Sequence, residues 1–107
     1  HVVEEVGARV LPEPVRALAS EHIHTWHGET MGMSRNWVEE AVKTIEEEHR
    51  SAARLVLLTA LASYQVDAGI VEDFRARYPV DADLVAATAW ASLMAARRVS
   101  EWLALPQ

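Results

Sequence analysis

Three of the five histidines fall within six positions, in the run Glu21-His22-Ile23-His24-Thr25-Trp26-His27-Gly28-Glu29. Imidazole is the side chain that gains and loses a proton near neutral pH, and it is also a common metal ligand. On a helix, His24 and His27 are three apart and share a face, near enough to share a metal ion or a proton. His22 lies on a different face from His24, so a regular helix cannot present all three together. Glu21, three residues before His24, could orient its ring or serve as a ligand. Zinc, iron, nickel or copper would suit such nitrogen and oxygen donors. No third ligand stands at a diagnostic spacing, so no metal is assigned and no cofactor is expected. Metal-free proton transfer through His24 is then the sharper chemical reading. The bland alternative is a set of helix-end histidines satisfied by local hydrogen bonds.

Other chemistries are excluded more firmly. The 107 residues contain no cysteine, which removes disulfides, thiolate metal sites and thiol nucleophiles. The four glycines are isolated, so no phosphate-cradling loop is present. None of the six serines sits in a nucleophile-elbow context. A net charge of −6 argues against nucleic acid or an anionic membrane as partner, both of which need a concentrated basic surface. The longest nearly apolar stretches, 55–62 and 84–96, fall short of the roughly 20 residues that span a bilayer. No signal-peptide pattern opens the chain, and the cytoplasm is the expected location. The first residue is His1 rather than methionine, consistent with a trimmed start or a longer product.

The elements that must position these residues all read at helical period. Residues 2–11 form a first segment closed by Pro12-Glu13-Pro14. A second begins near Pro14, where the missing N–H costs nothing, and carries Val15, Leu18, Ala19, His22 and Trp26 on one stripe. It ends between Gly28 and Gly32. Ser34 reads as the N-cap of a helix over 35–44 with Trp37, Val38, Ala41 and Val42 inward. Thr44 and Glu47 have the spacing of a capping box for a helix running to about Tyr64. That helix should bury Ala53, Val56, Leu57, Ala60, Leu61 and Tyr64, while Arg54 either snorkels to water or meets a buried carboxylate such as Glu5 or Glu21. His49, among Glu46–Glu48 and Arg50, belongs to its solvated start. Asp67 caps a short helix to Arg77, and Asp81 caps a last helix over 82–103. The sum is an all-α bundle of about five or six helices, one domain over 1–107.

The last helix surrounds Trp90, Leu93 and Met94 with alanines and shows little polar face before Arg97. A helix apolar nearly all round must be buried on several sides. A domain of this size struggles to supply that cover alone, so a homo-oligomer is expected.

At this level of detail the chain resembles the alkylhydroperoxidase D and carboxymuconolactone decarboxylase family. The family motif runs Glu, eleven residues, Cys-x-x-Cys, three residues, His, then eight positions to a Gly-Leu-Ser-like turn. Gly32-Met33-Ser34 is similar to that turn, and counting back eight reaches His24, followed by Thr25. Ala17 and Ser20 fall at the cysteine positions and Glu5 at the leading glutamate. Downstream, Glu47-His49-Arg50 to Leu58, Val66-Asp67 to Phe74, and 84–103 with Arg97-Arg98-Val99 are similar to the family's later helices. The resemblance implies an all-α oligomeric fold. It does not extend to thiol peroxidase chemistry, which needs the missing cysteine pair. The decarboxylase branch does without that pair, which leaves acid–base chemistry on, or binding of, a small organic acid or lactone. Within that frame His24 is the expected proton carrier, Glu5 or Glu21 its carboxylate partner, and Ser20 or His27 a substrate contact. Two other readings accompany it. One is a non-catalytic helical protein kept for oligomerisation or partner binding. The other is a metal-binding module built on His22, His24 and His27.

Overall fold

The computed structural model of the protein describes residues 2–104, and these fold into six α-helices and one short 3-10 turn. The helices are α1 (Val2–Val10), α2 (Glu13–Thr25), α3 (Asn36–Val42), α4 (Glu47–Leu61), α5 (Ala68–Arg77) and α6 (Asp81–Leu103), with the 3-10 turn Ser63–Gln65 between α4 and α5. The expected all-α bundle is borne out, and no strand occurs among the described residues.

Pro12 separates the first two helices. Leu11 closes α1 by donating its N–H to the Gly7 carbonyl at 2.8 Å, and the residue before a proline then leaves the helical region. Pro12 itself stands at the N-cap of α2, and Pro14 occupies the first turn, where no backbone donor is required. Asp67 caps α5 as expected, accepting from the Ile70 N–H at 3.0 Å and pairing with Arg35 at 3.2 Å.

Three capping expectations need correction. Thr44 does not cap α4. Its hydroxyl donates to the Ala41 carbonyl at 2.7 Å and so closes α3, while α4 starts three residues later with Glu46 at its N-cap. The Arg50 guanidinium reinforces that closure, donating from Nε to the Val42 and Ile45 carbonyls at 3.1 Å each. Ser34 accepts from the Asn36 N–H at 3.1 Å, but the N-cap proper is Arg35. Likewise Val80, not Asp81, is the N-cap of α6, and Asp81 lies in the first turn, where a negative charge suits the helix dipole.

The core forms around α4. Leu55, Val56, Leu57 and Leu58 are consecutive and all fully buried, which requires neighbours on every side of that helix. Helices α2, α3, α5 and α6 supply them. This is the all-round burial that the alanine-rich run suggested for the last helix instead. Helix α6 buries only Ala86, Ala87, Trp90 and Ala91, and Val85 is 65% exposed. Alanines allow close approach to α4 and α1 on one side without demanding cover on the other. Tyr64 also departs from expectation: α4 ends at Leu61, and the ring is 59% exposed. Arg54 meets neither Glu5 nor Glu21. Its position on α4 faces α3, where Glu39 accepts from Nε at 2.7 Å and from Nη2 at 3.0 Å.

Helix α1 lies along α6, and Gly7 makes that approach possible. A Cβ placed there would sit 2.5 Å from the Cβ of Trp90, an atom that cannot swing away. Alanine at a helical glycine gains at most about 1 kcal/mol in propensity, against about 1–3 kcal/mol for overpacking. Gly7→Ala should therefore destabilise the fold on balance, measured as a lower midpoint in chemical denaturation; an unchanged or higher midpoint would contradict this packing.

The Ile70 N–H, and after it the Arg35 guanidinium, hold the Asp67 carboxyl below the usual carboxylate range. A depressed folded-state value contributes stability above the unfolded pKa and loses it as pH falls through the folded one. The stability gap between the wild type and Asp67→Asn should thus be largest near neutrality and close below about pH 4. Thermal melts across that window will show it; a gap constant with pH would refute it.

Candidate functional site

Ser20 and His24 are one helical turn apart on α2 and line a common cleft, together with Ile23 between them. The opposite wall is α6, through Met94, Arg97, Arg98 and Glu101. Those four positions are spaced as one helical stripe. Ile23 is buried and Met94 half-buried, giving the cleft an apolar floor beneath a charged rim. Its volume is about 170 Å³. Pockets for drug-sized ligands run from roughly 300 to 1,000 Å³, so the space suits a molecule of only a few heavy atoms.

The two arginines are held differently. Arg98 is only 12% exposed in its side chain and is pinned on three sides. Its Nε donates to the Trp26 carbonyl at 2.8 Å, and its Nη1 to Glu101 Oε2 at 3.0 Å. Its guanidinium also lies 5.5 Å from the centre of the Trp102 ring. Arg97 is about half exposed and donates from Nη1 to Glu4 Oε2 on α1. That guanidinium holds the Glu4 carboxyl below its usual range.

The segment after α2 is drawn onto the same end of α6. Trp26 leaves the helix in an extended conformation, and its ring stacks at a tilt on Trp102 with centroids 5.1 Å apart. Trp26 Nε1 donates to the Glu29 carbonyl at 2.9 Å. Gly28 takes a positive φ of 87° beside Trp102, where a side chain would be both strained and crowded. Further on, Gly32 also has a positive φ, and its carbonyl accepts from the Tyr64 hydroxyl at 2.7 Å and from Gln65 Nε2 at 2.9 Å. Two side chains of the 3-10 turn thus hold the Gly32-Met33-Ser34 segment.

Of the residues singled out from sequence, the structure brings together Ser20 and His24. Glu5, Glu21 and His27 do not line the cleft. Glu5 follows Glu4 by one residue, about 100° around α1, and it is Glu4 that faces α6. His27 lies beyond the end of α2, so it does not share a helical face with His24 as the spacing alone suggested. Its backbone N–H instead donates to the Glu29 carboxylate at 3.1 Å. Among the described residues no three His, Asp or Glu side chains converge as metal ligands. The residue pattern alone did not mark Met94 and Glu101 as lining the site, and offered Arg97 and Arg98 only through the family resemblance. The periodic signal that could have found them is the 94, 97, 98, 101 stripe on an otherwise alanine-rich helix.

As chemistry, the cleft offers an imidazole able to carry a proton and a hydroxyl that can donate or accept. Arg97 adds a planar donor fork suited to a carboxylate. The carboxylate on its wall is Glu101.

Over 93 residues, 87% of its length, the chain is 40% identical to the alkyl hydroperoxide reductase Rv2159c of Mycobacterium tuberculosis. The matched region is 27% of that protein, so the chain spans about a quarter of its relative's length. No family model and no solved structure matches the chain. That identity, carried over most of the chain, supports its resemblance to the alkylhydroperoxidase D-like family, here with no cysteine in the 107 residues.

Proposed function

We propose that the cleft between α2 and α6 binds a small organic acid or its lactone, with His24 carrying the proton in any reaction that follows. The observation behind this reading is the meeting of His24 and Ser20 with Arg97 over an apolar floor. A guanidinium recognises a carboxylate, the floor accepts a short hydrocarbon body, and an adjacent imidazole can move a proton on or off it. The small volume favours acids of a few carbons. The relative's name is that of a hydroperoxide reductase. These 107 residues hold no thiol, so a peroxidatic cysteine is not among them.

A second reading concerns assembly and rests on a different surface. Val2, Val6, Ala82, Val85 and Ala89 line an apolar groove between α1 and α6, and Val2 and Val85 are 72% and 65% exposed. A second copy of this chain, meeting the groove with its own, would remove those valines from water.

His24 is exposed, so His24→Ala should leave the melting temperature nearly unchanged. It should abolish binding of short carboxylic acids in an NMR titration, and lower any turnover by about 10²- to 10⁴-fold. Arg97→Gln should weaken the same binding. Unaltered affinity in both variants would overturn the small-acid reading. For assembly, light scattering should give a multiple of the 11.9 kDa chain mass, and Val85→Glu should reduce it to one. A wild-type monomer at micromolar concentration would dismiss the second copy.

A further inference from the structure

Of the two guanidinium groups on the cleft wall, one is much more open to an incoming anion than the other. Arg98 is committed: Glu101, itself on the cleft wall, takes its Nη1 at 3.0 Å, and the Trp26 carbonyl takes its Nε at 2.8 Å. Trp102 lies against it, and little of it reaches water. Arg97 is more open, and its contact with Glu4 uses Nη1, one of the two terminal nitrogens of a five-donor fork. The wall therefore carries two positive charges and one negative, and Glu4 stands behind Arg97 as a second negative charge. One carboxylate finds Arg97. A second would find an arginine already neutralised, with the Glu101 oxygens beside it.

From this we infer that the cleft selects small monocarboxylates over dicarboxylates, with Glu101 as the residue that sets the preference. The inference rests on the small-acid reading above and adds the charge state of the ligand to it. Its physical content is like-charge repulsion at short range in a partly hydrated site. There, one extra unit charge a few ångströms away is worth roughly three- to ten-fold in affinity. Glu101 acts on the ligand directly, since it lines the cleft, and indirectly, since it cancels Arg98.

The test uses three acids of equal carbon number: propanoate, 2-hydroxypropanoate and propanedioate. Each is titrated at one fixed ionic strength against the protein, following the His24 ring and Arg97 Nε resonances. The expected result is that a monocarboxylate binds roughly three- to ten-fold more tightly than propanedioate. In Glu101→Gln the preference should shrink to parity or reverse, because Arg98 then has no carboxylate partner on the wall. Equal or tighter binding of propanedioate by the wild type would overturn the inference and leave the small-acid reading standing. If none of the three acids moves either resonance, both fall together. An unchanged preference in a folded Glu101→Gln protein would also overturn the assignment to Glu101. Should that variant fail to fold, the wild-type ratio decides by itself.

Discussion

Leu55, Val56, Leu57 and Leu58 point in four successive directions around one helix, and water reaches none of them. That single constraint organises the rest of the structure. A helix with no solvent side must be enclosed, and the chain does so by wrapping α2, α3, α5 and α6 about α4. Each enclosing helix then needs only one apolar stripe turned toward α4. The polar groups of α4 gather toward its start, where Arg50 and Arg54 close α3 and pair with Glu39. The two helices that meet beside α4 at one end, α2 and α6, leave between them the cleft that carries Ser20 and His24.

The fold was largely legible in the residue pattern because its signals are local. Pro12 and Pro14 mark the α1–α2 junction, and Asp67 marks the start of α5, through effects that act within four residues. Errors arose where one local motif had two possible owners. Thr44 stands between the end of α3 and the start of α4, and its hydroxyl served the carbonyl behind it rather than the amide ahead. The choice of central helix went astray for a related reason. Alanine-rich and leucine-rich runs both look apolar along a sequence, but leucines demand cover and alanines merely permit close contact.

The site was half legible. Ser20 and His24 follow from a four-residue spacing on one helix, which a sequence displays directly. Their companions come from α6, and nothing in the run of residues 20–24 indicates which stretch some 70 positions away will face it. On α1 it is Glu4 and not Glu5 that reaches α6, because only the packing of α1 on α6 decides which side of α1 looks inward. The family resemblance supplied the frame of His24 and Gly32. It could not supply the contacts of Arg98 with the Trp26 carbonyl and with Trp102.

The contacts that finish the cleft span great lengths of chain: 93 residues separate Glu4 from Arg97, and 72 separate Trp26 from Arg98. Closing such loops costs entropy before any contact is gained, whereas the α3–α4 and α4–α5 contacts join near neighbours. The cleft therefore depends on order across nearly the whole chain. The final turns of α6 form one wall of the cleft, so local opening there would remove the site without unfolding the whole chain.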